Sequence, residues 1–264
     1  MIPYGRQDVT KEDIRSVVDV LESDFLTQGP AVPKFEKKIC EITQVSHSIA
    51  VNSCTSGLHI ACLALGLGTN DILWTSSITF VASANCALYC GAKVDFIDVD
   101  PDTALISIDN LKTKLVEAEK IGCLPKIVIP VHFAGQSCDM REIYELGQEY
   151  GFKIIEDAAH AIGASYLDKP VGNCQYSDIT VFSFHPVKIV TTGEGGACLT
   201  NDSTLANLMR RLRSHGITRN PEEMQNSKMD SWYYEQINLG LNYRMNDIQA
   251  ALGISQLNRL EDYI

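Results

Sequence analysis

Residues 126–161 read KIVIPVHFAGQSCDMREIYELGQEYGFKIIEDAAHA. Apolar runs at 126–131 and 153–155 bracket a segment, 139–150, with the length and spacing of one amphipathic helix. Two strands joined by a helix form a βαβ crossover, the connection that parallel strands require. Outward from this unit the alternation repeats. Short apolar runs at 49–51, 94–99 and 178–182 read as strands, and helical segments fall at 56–66, 80–90, 108–120 and 203–214. The pattern predicts an α/β fold with a mostly parallel sheet flanked by helices on both faces. Its ligands gather beyond the carboxyl ends of the strands.

At the amino end, Thr10-Lys-Glu-Asp13 predicts a near capping box, with Ile14, Val17, Val18 and Leu21 as the apolar stripe of a first helix. A second stripe is Val32, Phe35, Ile39 and Ile42. The polar stretch 217–236 reads as an extended loop, functional or mobile. Residues 246–264 form an amphipathic helix with Ile248, Ala251, Leu252 and Ile254; it carries no stop signal, so the chain reads as cut short there.

The 264 residues include 33 acidic and 22 basic side chains, a net charge of −11. That balance argues against nucleic acid or an anionic membrane as the main partner. Nine cysteines form no CxxC pair and the six histidines complete no zinc-ligand spacing, so no metal site is expected. The thiols, Cys86 and Cys90 among them, read as small core residues in a reducing cytosol. The start, MIPYGRQDV, lacks the features of a signal peptide, and no apolar run reaches the ~20 residues of a membrane span. A cytoplasmic protein is expected.

The strongest chemical signal is ITVFSFHPVK (179–188) followed by IVTTGEGG (189–196). Its apolar run delivers Ser183, His185 and Lys188 onto a glycine-rich turn. A lysine is ordinarily a solvated surface group. This one follows Phe182, Phe184, Pro186 and Val187, and an apolar setting favours the neutral amine that a Schiff-base lysine needs. In KIIEDAAHA (153–161) a strand ends in Asp157, with His160 shortly after. Such an aspartate is commonly a helix cap. The functional alternative sets it against the pyridine nitrogen of pyridoxal phosphate (PLP), where it keeps the ring an electron sink.

IAVNSCTSGLH (49–59) runs from a short strand into Thr55, Ser56 and Gly57 at a helix start. Free N–H groups and the helix dipole favour a phosphate there, although plain capping explains the same residues. Phe80 opens another helix after a strand end, either stacked on a planar ring or packed in the core. His132 sits at a strand end but reads equally as a satisfied core histidine. Gly66-Leu67-Gly68 follows a helix and lacks a third glycine, so it is no dinucleotide fingerprint.

Together, EDAAHA (156–161), SFHPVK (183–188), TGEGG (192–196) and LGLNYRMNDIQAALG (239–253) resemble the DegT/DnrJ/StrS family of PLP-dependent sugar aminotransferases. The runs WTSSITFVASANCALYCGA (74–92) and VHFAGQSCDM (131–140) look most like its transaminases of pseudaminic acid biosynthesis. The resemblance implies the large domain of a fold-type-I PLP transferase. Lys188 would bind PLP and move the proton, Asp157 would pair with the pyridine nitrogen, and His160 would lie beside the ring. Thr55, Ser56 and Ser183 would hold the phosphate, and Phe80 would stack on the ring. Asn242, and with it Arg244, would reach the partner's site in a homodimer.

The dehydratase relatives carry histidine in place of the lysine, so Lys188 implies transamination. The implied reaction moves an amino group from L-glutamate to C4 of a UDP-linked 4-keto-6-deoxy-N-acetylhexosamine. Residues 1–245 would be the PLP-binding domain and 246–264 the start of the connection to a missing C-terminal domain of roughly a hundred residues. A second reading is a truncated, non-catalytic relative that binds PLP or a nucleotide sugar, or pairs with a full-length subunit. A nicotinamide-dependent sugar dehydrogenase ranks third, for want of the glycine fingerprint.

Overall fold

A computed structural model describes residues 5–225 and 232–264. From the amino end run α1 (Lys11–Leu21), α2 (Ala31–Thr43), β1 (His47–Val51), α3 (Cys54–Ala64), β2 (Ile72–Ser76) and α4 (Ala82–Tyr89). Next come β3 (Lys93–Ile97), α5 (Ile108–Lys120), β4 (Ile127–Ile129), α6 (Met140–Tyr150) and β5 (Lys153–Asp157). A short hairpin of β6 (Ser165–Tyr166) and β7 (Lys169–Pro170) leads to β8 (Ile179–Ser183), β9 (Gly196–Thr200) and α7 (Ser203–Leu212). The chain closes with β10 (Ile217–Thr218), β11 (Glu235–Gln236), α8 (Asp247–Leu257) and α9 (Leu260–Tyr263).

Seven strands form one sheet in the order β1-β9-β8-β5-β4-β2-β3. The run from β3 to β8 is parallel, and β9 returns antiparallel between β8 and β1. The unit read from residues 126–161 is β4-α6-β5, with Ile127 opposite Lys153. The sequence reading lacks the short pairs β6–β7 and β10–β11 and, within the large sheet, β9, whose glycine-led start looks like a turn yet pairs along both edges.

The two-residue period of a strand assigns each side chain to a layer. Leu73, Ile127, Ile129, Ile155, Ile179, Val181 and Cys198 join one buried cluster with residues of α3, α4 and α7. Their alternates go to the other face. Trp74, Val128 and Ile154 pack with residues of α5 and α6, while Ala50, Phe182, Ala197 and Leu199 pack with residues of α2 and α8. Odd-numbered positions of β5 and β8 therefore face α3 and α4, and this parity decides where Asp157 and Ser183 emerge.

Three expectations need correction. The capping box of Thr10 and Asp13 forms, but the stripe of α1 does not make a core face: Ile14 and Leu21 stay more than half exposed. Instead α1 docks through the fully buried Asp13, which accepts from Gln256 Nε2 (2.8 Å) and Arg259 Nη2 (2.9 Å). The helix read over 246–264 is broken into α8 and α9, and Ala250, Ala251, Leu257 and Leu260 are buried. The 217–236 stretch is bounded by the paired strands β10 and β11; its residues 226–231 lie outside the described residues. Among the described residues no helix is long and apolar enough to cross a membrane.

The Asp13 contact gives a stability prediction. Burial opposes ionisation of its carboxyl, but bonds from Arg259, Ser255, Thr10 and Gln256 win, holding the pKa well below the ordinary 3.8. A depressed carboxylate stabilises the fold above its unfolded pKa, and that contribution fades as pH falls below about 3.8. Asp13→Ala is expected to cost about 3 kcal/mol at neutral pH, because Arg259 then loses its main partner. The denaturant midpoint measures the loss, and the difference from the parent chain should shrink on acidification.

Candidate active site

Because Ile155 faces α3 and α4, Asp157, two positions on at the carboxyl end of β5, faces the same way. Its carboxylate is buried and doubly held: Oδ2 accepts from Ser83 Oγ of α4 at 2.5 Å, and Oδ1 accepts from the Ala159 N–H at 3.1 Å. The backbone is fixed as well, with Asp157 N donating to Pro130 O and His132 N to Asp157 O, each at 3.0 Å. Ser83 is fully buried and carries no local signal in the sequence. It is the positioning residue that sequence reasoning missed.

Glu156, one position earlier, points to the opposite face. There it accepts from Thr180 Oγ1 (2.8 Å) and from Ser177 Oγ, and its other oxygen lies 2.7 Å from His132 Nε2. Burial would raise its pKa, but His132 and the two hydroxyls more than offset that, so the carboxylate stays ionised. His132 is fully buried, and its Nδ1 accepts the Cys138 N–H at 3.2 Å. It is a satisfied core histidine that braces the strand behind Asp157.

Lys188 rises from the 184–195 loop, which joins β8 to β9 as a hairpin. The loop is closed by Phe184 N→Gly195 O and Thr192 N→Phe184 O, both 2.9 Å. Gly193 takes φ +80°, a region a side chain would strain. Phe182 and Phe184 are fully buried while Val187 is partly exposed, so the lysine lies half-buried at the rim of an apolar base. Burial lowers the pKa of the amine, against the opposing charges of Cys54 and Asp157. Burial and the Lys188 charge likewise hold His160 below its ordinary 6.5, with Asp157 opposing. Lys188, Asp157 and His160 thus lie within electrostatic range of one another. His160 is braced by the Ala134 N–H, which donates to Nδ1 at 3.3 Å.

The phosphate candidates meet at another glycine. Gly196 of β9 pairs with Ser183 of β8 on one side and with Val51 of β1 on the other. A Cβ on Gly196 would lie 2.7 Å from Cys54 N, so only glycine lets the sheet approach the start of α3. The cap of α3 is Ser53, whose Oγ accepts from Ser56 N at 3.1 Å while its carbonyl accepts from Gly57 N. The N–H groups of Cys54 and Thr55 lack an intrahelical acceptor and remain for an anion. Thr55, Ser56 and Ser183 are therefore brought together around one helix start.

Phe80 is not a core aromatic: 74% of it is exposed. It sits beside the aspartate's support, its carbonyl accepting from the Ser83 N–H at 3.2 Å. Asn242 and Arg244 lie apart, on a segment bridged to β1 through Val51–Arg244 and to the stretch after α7 through Ser214–Asn242. Asn242 is exposed, and Arg244 donates to Ser214 Oγ. Among the described residues neither side chain bonds to Lys188 or Asp157.

An amine with lowered pKa, a buried carboxylate, an anion-favouring helix start and an exposed ring fit a pyridine aldehyde that bears a phosphate. Fold and site together define a fold-type-I PLP-dependent transferase architecture. Residues 7–264 match the DegT/DnrJ/EryC1/StrS aminotransferase family, and the chain belongs to that family. It is 40% identical over 263 residues to the UDP-4-amino-4,6-dideoxy-N-acetyl-beta-L-altrosamine transaminase of Campylobacter jejuni, covering 99% of this chain and 65% of that protein. The chain thus spans about 65% of the length of that relative. Among solved structures it resembles Helicobacter pylori PseC, an aminotransferase of pseudaminic acid biosynthesis, with a TM-score of 0.88 at 34% identity, covering 98% of this chain and 66% of that one. A Streptococcus pneumoniae protein in its PLP form gives 0.84 at 27%, covering 99% and 67%.

Ser83→Ala is expected to weaken PLP binding about tenfold, the worth of one hydrogen bond to a charged group. Fluorescence titration measures it, with the thermal midpoint of the cofactor-free chain showing that the fold is intact.

Proposed function

We propose that the chain is the cofactor-binding part of a PLP-dependent nucleotide-sugar aminotransferase, with residues 1–245 as the PLP-binding domain. It would move an amino group from L-glutamate to C4 of a UDP-linked 4-keto-6-deoxy-N-acetylhexosamine. The observation that carries this reading is the half-buried Lys188 amine held within range of the Asp157 charge. The names of the Campylobacter and Helicobacter relatives support the sugar class.

When bound, PLP supplies an electron sink for the carbanion at the reacting carbon. The chain's own residues do the rest. Lys188, as a neutral amine, would hold the cofactor by its aldehyde, and the same amine would carry the proton to or from the carbon that exchanges the amino group. Asp157 keeps the pyridine nitrogen protonated, and Ser83 keeps Asp157 aimed. Thr55, Ser56, Ser183 and the start of α3 hold the phosphate, Phe80 covers the ring, and His160 lies at its side. A homodimer in which Asn242 reaches the partner's site, and a cytoplasmic location, belong to the same proposal.

The test is direct. The purified chain should turn yellow with PLP and lose that colour on borohydride reduction, with the label on Lys188. Failure to take up PLP, or labelling elsewhere, overturns the reading. Uptake without glutamate-dependent amination of the 4-keto sugar would leave the non-catalytic alternative standing.

A further inference from the structure

The two helices that frame the site share a cluster of sulfur groups that the proposed reaction does not use. On α3, Cys62 is fully buried and His59, one turn earlier, is half-buried; on α4, Cys86 is fully buried, and Cys90 caps the helix half-buried. Residues three or four apart share one helix face, so each pair presents its groups together. The faces meet. Cys62 and Cys86 share one buried cluster with Cys90 packed against it, and Cys86 is tied back to its own helix by donating to Ser83 O at 3.3 Å. Fully buried Ala61 and Ala87 allow the close approach of the helices. His59 is held in turn by Tyr243 OH at 3.1 Å and by the Tyr89 ring, centroid to centroid 5.4 Å.

We propose that Cys90 is an oxidation site at which a hydroperoxide acts, and that Cys62 resolves the product into a disulfide joining α3 to α4. In the first step the Cys90 thiolate attacks the peroxide. An S–O bond forms, the O–O bond breaks, the sulfur is oxidised by two electrons and the peroxide leaves as alcohol or water. In the second, the Cys62 sulfur attacks Cys90; the S–S bond forms and hydroxide departs with the Cys62 proton as water.

The surroundings favour this order. The Cys62 thiol and His59 hold Cys90 near a pKa of about 6 against burial, whereas Cys62 itself is pushed well above its ordinary value. Cys90, half-buried where Cys62 is fully buried, is the thiol a peroxide reaches first, and Cys62 the reserve thiol. Tyr89 and Tyr243 also face this group. Both helices run from the site, so the link would sit about 10 Å from Ser56 at one end and from Ser83 at the other, at 1.5 Å per residue.

The purified chain is treated with equimolar hydrogen peroxide, alkylated and digested without reduction. One crosslinked pair, Cys62 with Cys90, is expected, with Cys90 consumed at least about tenfold faster than the exposed Cys123. In Cys62→Ala the crosslink should vanish and dimedone should trap Cys90 as its sulfenic acid. Equal rates at Cys90 and Cys123 overturn the proposal. So does a Cys62–Cys86 link, or overoxidised Cys90 in the parent chain without a crosslink.

Discussion

Lys188→Ala is expected to lower amino transfer by at least about 10³-fold, since in the proposed reaction one side chain would supply both the covalent attachment and the proton shuttle. PLP should still bind, because the start of α3, Ser183, Phe80 and Asp157 are untouched, but the borohydride-sensitive colour should vanish. Lys188→Arg should fail equally: a guanidinium stays protonated and cannot attack an aldehyde. A small primary amine added to Lys188→Ala should restore part of the rate, which a merely unfolded variant would not show. The pH profile carries a further signature. Burial lowers the Lys188 pKa from 10.5, and only the neutral amine attacks, so capture of PLP should rise with pH and level off below pH 10.5. At acid pH the ammonium form should stop it.

What was legible in the sequence follows from how the signals arise. A strand covered on both faces needs apolar residues throughout, so β4, β5 and β8 show as unbroken runs and the βαβ units can be read locally. Asp157 and Ser183 are legible because polar residues end those runs. β9 was not, because its Gly196 answers a contact with Cys54 from another part of the chain rather than a local turn. Ser83 was hidden for the same reason: its partner Asp157 lies 74 positions away, and a serine in a helix has no pattern of its own. The stripe of α1 misled because amphipathic spacing says which residues share a face, not what covers it. There Asp13 meets Arg259 across a separation of 246 residues.

The parity of β5 shows how one strand serves two tasks. Glu156 and Asp157 are adjacent carboxylates, yet the pleat sends the first into a closed network with His132, Ser177 and Thr180 and the second to the α3–α4 face beside Lys188. The inner network continues through His132, whose Nδ1 accepts the Cys138 N–H. It fixes the strand end from which Asp157 projects.

Asp157→Asn should lower amino transfer on the order of 10²–10³-fold, the usual cost of losing one preorganised electrostatic partner in a site. The amide keeps the size of the side chain and can still accept from the Ala159 N–H, so the fold should hold. What it loses is the charge that keeps the pyridine nitrogen protonated. The same charge acts on its neighbours: Asp157 favours the protonated forms of Lys188 and His160, so its removal should lower the pKa of both groups. The rising limb of the PLP-capture profile should therefore move to lower pH even as the transfer rate falls. A structural defect would depress both without moving the limb. If the limb stays in place while the rate falls, Asp157 and Lys188 do not share a site, and the assignment of the pair is wrong.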